Sequence, residues 1–367
     1  MKSLSLASHI RFAALLLASI AAARAAAQTP GAVKGPPAAT QRPIDTVPPK
    51  TVIETPFAIT SGTLTLPGTL TLPANASPRR SAKGKTLPAA VNKKLPVALI
   101  VAGSGPTDRN GNSAGALRAQ NNSNLYAILA WQLASAGIAS VRYDKRVIGD
   151  NLQKVDIPAT SIDDFIADAI AGVRKLVADP RFSKVILIGH SEGAELVLQA
   201  VNRGAPAAGI VMMSGAGRPI MPVLREQISK QLPPAEIAKW DSASARYLRG
   251  EDPGDVHPGL KSLLQPANRK FMQSWAKYDP AGEIAKVKVP VLIIQGGHDI
   301  QISEADARAL KAAQPAAKLV IIPAANHVFR AATTDDRIAQ MKLYVDPTIP
   351  IVPELTPAIA DWIKSLK

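Results

Sequence analysis

The chain has 367 residues, 47% of them apolar, enough to bury a sizeable core in one large domain with an insertion, or in two domains. It contains no cysteine, which excludes a disulfide framework and a lipidated cysteine anchor. The net charge of +15 does not by itself imply a nucleic-acid partner. Only 4% of residues are aromatic, and the basic stretch "PRRSAKGKTLPAAVNKK" (78–94) has no ring on which a base could stack, so it reads as a solvated loop.

Residues 1–25 have the form of a cleavable export signal. Lys2 and Arg11 supply positive charge, "FAALLLASIAAA" is a short apolar run, and "ARA" and "AAA" between 23 and 27 offer small-residue cleavage sites. A periplasmic or secreted mature protein is expected. The run is short for a membrane span and no other stretch approaches the roughly 18 apolar residues that a span needs, so no span is expected in the mature chain. Residues 26–52, rich in Pro and Ala, read as an extended tether. "FAITSGTLTLPGTLTLP" (57–73) alternates apolar and polar residues around Gly and Pro, which predicts a β-hairpin.

From residue 95 the rhythm changes. "LPVALIVAG" reads as a buried parallel strand, "NLYAILAWQLASAG" as a helix stopped by Gly, and "IASVRYD" as a strand. "SIDDFIADAIAGVRKLVAD" is a helix with Ser161 as its cap and acids in its first turn. The strand "KVILIG", the helix "EGAELVLQAVNR" and the strand "AAGIVMMSG" follow. Residues 219–280 break the alternation with a polar, Pro-interrupted stretch holding helical pieces such as "VLREQISKQL" and "PANRKFMQSWAKY". The alternation resumes with "VPVLIIQGG", the helix "SEADARALKAAQ", the strand "AKLVIIPAA" and a closing helix near "TPAIADWIKSLK". The prediction is an α/β fold: a mostly parallel, doubly wound sheet with an N-terminal hairpin, built from 53–218 and 281–367. The insertion at 219–280 would form a helical lid over the carboxyl ends of the strands, where such folds hold ligands.

The chemistry centres on Gly189-His190-Ser191-Glu192-Gly193. A lone Gly-x-Ser-x-Gly is a modest signal, but here Gly189 ends an apolar strand and Gly193 opens a helix, the setting of a nucleophile elbow. Small residues are needed on both sides of a Ser held on so sharp a turn, and the helix N-terminus offers N–H groups to a developing oxyanion. A serine hydroxyl needs a base, and the base an orienting acid. Asp299 and His327 each lie just past a predicted strand, in the chain order Ser, acid, His. His298 is a second candidate base. His257 reads as an ordinary exposed lid residue, and His190 as structural, its ring turned from the substrate. The loop "VAGSGPTDRNGNS" (101–113) should supply a second oxyanion donor, so the backbone N–H groups of Ser104 and Glu192 are expected in that role. Asp108 and Arg109 read as a structural ion pair or as loop anchors. Nothing calls for a metal or a cofactor.

These motifs together resemble the α/β-hydrolase superfamily, and within it exported bacterial serine hydrolases and esterases. The matching residues are "GSGPTDRNG" (103–111), "YDKR" (143–146), "GHSEG" (189–193), "SWAKYDP" (274–280), "QGGHD" (295–299) and "NHVF" (326–329), in a resemblance running from about residue 55 to the C-terminus. It implies Ser191 as nucleophile, Asp299 as acid, His327 as base and a lid before the seventh strand. Where such proteins commonly continue Gly-x-Gly after "YDKR", this chain reads Val147-Ile148-Gly149. The expected activity is hydrolysis of carboxylic esters with small or medium acyl chains through an acyl-enzyme, on a small-molecule substrate. The competing readings are a peptidase or thioesterase on the same fold, or a non-catalytic cell-envelope binding module. A peptidase would need a charged group for a peptide terminus, and Glu251, Asp252 and Asp255 are the lid's candidates.

Overall fold

The computed structural model describes residues 46–74 and 94–366. The expected export signal, most of the tether, and all but Lys94 of the basic stretch lie outside the described residues. The chain opens with the expected hairpin. Strands β1 (Val52–Ser61) and β2 (Leu64–Pro73) pair antiparallel from Val52 opposite Pro73 to Ser61 opposite Leu64. A two-residue turn joins them, and Gly62 adopts the positive φ of 57° that such a turn requires.

The rest alternates strand and helix. Strand β3 (Leu95–Val101) leads to helix α1 (Leu125–Ser135), then β4 (Ala139–Tyr143), α2 (Ile162–Val177), β5 (Phe182–His190), α3 (Glu192–Asn202) and β6 (Gly209–Met213). The segment predicted as a lid follows as α4 (Ile220–Ser229), α5 (Pro234–Leu248), α6 (Arg269–Trp275) and the short α7 (Pro280–Ile284). Strand β7 (Val291–Gly296), α8 (Glu304–Ala313), β8 (Lys318–Ile322), α9 (Arg337–Val345) and α10 (Leu355–Ser365) complete the chain. All eight strands form one sheet in the order β1-β2-β4-β3-β5-β6-β7-β8, parallel from β4 to β8. Helix α9 is an element that the sequence pattern did not single out.

The central strands are apolar at every position because both faces of the sheet are covered. Val97, Leu99 and Val101 of β3 belong to one core cluster, with α2, α3 and the helices of the segment predicted as a lid; Ala98 and Ile100 belong to the other, with α1 and α10. β5 divides in the same way, Val185 and Leu187 on one side, Ile186 and Ile188 on the other. This period-2 division of continuous apolar strands makes the sheet doubly wound. At the start of α2 a capping box forms as expected: the Ser161 N–H donates to Asp164 Oδ2 at 2.8 Å, and the Ser161 side chain bonds back to the backbone of residue 164. No helix among the described residues is long and apolar enough to cross a membrane.

Candidate active site

The residues picked out from the sequence gather at the carboxyl ends of the parallel strands. Ser104 lies three residues beyond β3, Ser191 directly after β5, Asp299 three residues beyond β7 and His327 five beyond β8. Ser191 has φ 56° and ψ −121°, a conformation rare for a residue with a side chain. The close packing of α3 against the ends of β5 and β3 explains the two flanking glycines. A Cβ on Gly189 would come within 2.1 Å of the Gly193 carbonyl oxygen, and one on Gly193 within 2.3 Å of the Val101 carbonyl oxygen. With no room for either, the turn presents Ser191 at the mouth of a cavity that it shares with Ser104 and His327.

Asp299 and His327 meet directly. Asp299 Oδ2 lies 2.8 Å from His327 Nδ1, with both side chains buried. Asp299 Oδ1 accepts the N–H groups of Gln301 and Ile302, each at 2.9 Å, and Gln295 Nε2 donates to Oδ2 at 3.1 Å. Burial alone would raise this carboxyl; His327 and the two N–H donors outweigh it and hold Asp299 below the ordinary carboxylate value. An ionised carboxylate only accepts, so His327 Nδ1 carries the proton and Nε2 keeps a lone pair for a proton-transfer role. Asn326 shapes the loop, its Oδ1 accepting the N–H groups of Val328 at 3.1 Å and Arg330 at 2.9 Å.

A second set of contacts braces the site from below. His190 is buried, which drops its pKa to about 3, with the neighbouring His327 adding to the effect. The ring is therefore neutral and has a single N–H. Nε2 lies 2.8 Å from the His327 carbonyl oxygen, which can only accept, so the proton sits there. Nδ1 must then accept from the Tyr126 hydroxyl at 2.9 Å, and the Tyr126 oxygen accepts the Gly103 N–H at 3.0 Å. The Gly103 carbonyl in turn accepts Lys145 Nζ at 2.9 Å, and the same ammonium binds Glu192 Oε1 at 2.6 Å in a buried pair. One continuous set of bonds thus joins the loop after β3, α1, the end of β4, the turn after β5 and the loop after β8. The Gly103 N–H is taken by Tyr126, and the next residue along, Ser104, lines the cavity that Ser191 enters. Glu192 opens α3, where the first N–H groups have no acceptor within the helix.

Several expectations need correction. Asp108 and Arg109 do not pair with each other. Arg109 pairs with Asp144, whose Oδ1 also accepts the Arg109 N–H at 2.8 Å, while Asp108 Oδ1 accepts the N–H groups of Asn110 and Asn112 and Oδ2 accepts from Arg118. Both act as loop anchors, each held by a charge that the chain brings in from elsewhere. His257 is half-buried rather than exposed, its Nδ1 accepting the Gly259 N–H at 3.2 Å to cap a short turn. His298 binds Asp335 at 2.8 Å and lines neither cavity around Ser191. His190 is held by structural contacts as expected, although the residue still borders the cavity. Tyr126, Lys145, Arg337 and Tyr344 were missed; of these only Lys145 lay in a motif, "YDKR", and the others are set at the site by α1 and α9.

The profile of the alpha/beta hydrolase family matches residues 114–341, most of the chain. The chain belongs to this family. It is 29% identical over 213 residues to esterase EstD of Thermotoga maritima, a match covering 58% of this chain and 48% of that one, so the chain spans about half the length of this curated relative. Among solved structures it is similar to Est1E from Butyrivibrio proteoclasticus, with a TM-score of 0.50, 15% identity, and coverage of 85% of this chain and 98% of that one. It is also similar to the hypothetical protein PA2218 from Pseudomonas aeruginosa, with a TM-score of 0.54, 15% identity, and coverage of 89% and 100%. At such identities these structures speak for the fold, and the family's alternation of strand and helix is the one described above.

Two cavities flank Ser191. The first, of about 830 Å³ including its open mouth, holds His327, with Gln301, Arg337 and Tyr344 among its walls. The second, of about 570 Å³, lies under the predicted lid against Ile220, Val223, Leu224 and Trp275, with Glu195 in its wall. Ser104 and Ser191 border both. Burial pushes the Glu195 carboxyl up to about 7, although Gln199 Nε2 donates to it at 2.7 Å.

Proposed function

We propose that the protein is a serine esterase that cleaves carboxylic esters of small or medium acyl chains through an acyl-enzyme. The observation that carries this reading is the strained Ser191 on one cavity with His327, whose Nδ1 is bound to the buried Asp299 at 2.8 Å. His327 Nε2 takes the proton from Ser191 Oγ as the oxygen attacks the ester carbonyl. The N–H groups of Ser104 and Glu192 receive the negative charge that develops on the carbonyl oxygen. As the ester bond breaks, His327 returns the proton to the leaving alcohol; a water molecule, activated by the same base, then releases the acid and restores Ser191. The similarity to esterase EstD supports ester over other acyl substrates.

The acyl chain is placed in the second cavity, whose apolar walls come largely from the predicted lid. The lid acids considered for a peptidase point elsewhere: Glu251 pairs with Arg249 and Asp255 with Lys239, Asp252 caps the Gly254 N–H, and none lines a cavity beside Ser191. Export to the periplasm or beyond is part of this proposal and rests on residues 1–25. A fluorophosphonate probe should label Ser191, and p-nitrophenyl butyrate should be hydrolysed, with both lost in a folded Ser191→Ala variant. Unlabelled wild type, or an active Ser191→Ala protein, refutes the reading.

A further inference from the structure

The cavity that holds His327 has an uneven charge. Among the described residues no aspartate or glutamate lines it, and apart from its histidines Arg337 is the only cationic side chain that does. Arg337 opens α9 and is half-buried. Its Nε and Nη2 are shielded from solvent, and neither meets a hydrogen-bond partner among the described residues. A guanidinium normally resists such a position, because a buried donor without an acceptor costs free energy and a buried charge costs more. Burial lowers Arg337 to about 10, which still leaves it charged at neutral pH. The two carboxylates that share a surface groove with Arg337 are both committed elsewhere, Asp335 to His298 and Asp299 to His327. Arg218, beside the second cavity, is by contrast satisfied, binding both Asp306 and Glu226.

The direction of the reaction says which part of a substrate faces Arg337. His327 delivers the proton to the leaving oxygen, so the leaving group must lie on the His327 side of Ser191. His327 lines the Arg337 cavity and not the one under the lid. We infer that the enzyme acts on esters whose leaving alcohol carries a carboxylate, that is, O-acylated hydroxy acids, with Arg337 binding that carboxylate and the apolar acyl chain lying under the lid. The inference rests on the esterase reading above. Attack by Ser191 breaks the bond between the acyl carbon and the alcohol oxygen, His327 protonates that oxygen, and a hydroxy acid leaves; water then converts the acyl-enzyme to a second carboxylic acid. Gln301 and Tyr344, joined at 3.1 Å, stand beside Arg337 in the cavity wall as neutral hydrogen-bonding groups.

The test is a series of O-butyryl ω-hydroxyalkanoates of graded length, from glycolate upward, each compared with its neutral amide. An Arg–carboxylate contact in a shielded site should raise kcat/KM for the best-fitting acid over its amide on the order of 10-fold or more. Arg337→Gln should collapse that ratio towards one, and Arg337→Lys should keep part of it, which a merely structural arginine would not do. Tm and circular dichroism establish that both variants fold. p-Nitrophenyl butyrate reports the esterase reading separately: if it is hydrolysed and no acid in the series is preferred, or if the preference survives Arg337→Gln, the inference falls and the esterase stands. If no ester is turned over and Ser191 does not label, both fall. A preference for monoethyl succinate over diethyl succinate, lost in Arg337→Gln, would place the carboxylate on the acyl side and overturn the inference as stated.

Discussion

Replacing Glu195 by glutamine should make the protein more stable at and above neutral pH and leave it unchanged below about pH 4.5. Glu195 lies on α3, four residues after Ser191, and is 7% exposed. Burial raises its carboxyl from 4.5 to about 7, and the negative charges of Glu283 and Asp279 add to the rise. In the unfolded chain the same group ionises near its ordinary value. Between these limits the folded state binds the extra proton, so stability falls as pH rises through about 4.5 to 7 and then levels off. At about 1.4 kcal/mol per pH unit, the full loss is about 3 kcal/mol. A glutamine in place of Glu195 would accept the same 2.7 Å bond from Gln199 without ever ionising. Urea unfolding of wild type and Glu195→Gln between pH 4 and 8 should give curves that diverge with pH, the variant gaining about 3 kcal/mol between the two ends. A constant difference over that range, or a variant that is less stable at pH 8, refutes the argument. Because Glu195 also lines the acyl cavity, KM for apolar esters should rise above about pH 7 in wild type and stay flat in the variant.

Asp299→Asn should fold yet lose about a thousand-fold or more in kcat, since an amide at 299 can donate to His327 Nδ1 and so turn the ring's lone pair away from Ser191; rates from stopped-flow hydrolysis of p-nitrophenyl butyrate check this. Tyr126→Phe leaves the buried Gly103 N–H and His190 Nδ1 without partners, at about 1–3 kcal/mol of stability each, and should lower kcat more than it changes KM, because Gly103 adjoins Ser104, the proposed oxyanion donor. Urea unfolding together with steady-state kinetics separates the two effects.

The fold class was legible because the strands announce themselves. "LPVALIV", "KVILIG" and "PVLIIQG" are apolar at consecutive positions, a pattern that only a sheet covered on both faces can use, and each is followed by a helix with its own stop signal. The hairpin was legible from its alternation, although pairing runs back to Val52, where Glu54 and Thr55 hide the pattern. Ser191, Asp299 and His327 could be named because each lies within five residues of a strand's carboxyl end, so sheet topology brings them to one edge. Arg337 and Tyr126 could not. Arg337 sits in "TTDDRIAQ", where two preceding aspartates suggest a solvated charge cluster, and only three-dimensional packing shows that Asp335 is taken by His298. Tyr126 lies in an apolar helix, where a tyrosine reads as core, and its hydroxyl contacts come from residues 23 and 64 positions away. Asp108 and Arg109 anchor the loop, one of the two readings offered for them, and only the ion pair between them failed, because neighbours in sequence on a tight loop point apart and each met a more distant partner.

Two histidines with ring centroids 4.8 Å apart carry opposite assignments, and the difference lies wholly in their partners. His327 has one nitrogen anchored to a carboxylate, leaving the other for the proton transfer proposed above. His190 has both nitrogens committed, one to a carbonyl that requires N–H and one to a hydroxyl that it must accept from. The Tyr126 hydroxyl can donate to His190 while accepting from Gly103 only if the His190 ring is neutral. A protonated His190 would turn a donor towards that hydroxyl, which would then have to accept twice with its own proton left unplaced. The burial that depresses His190 to about 3 is therefore what keeps the brace directional. It also leaves room for a charge next door. In the proposed reaction His327 becomes positive each time Ser191 attacks, and a second imidazolium 4.8 Å away would oppose that step. A neutral His190 removes the opposition and holds the His327 backbone in place, which accounts for a histidine beside Ser191 that takes no proton itself.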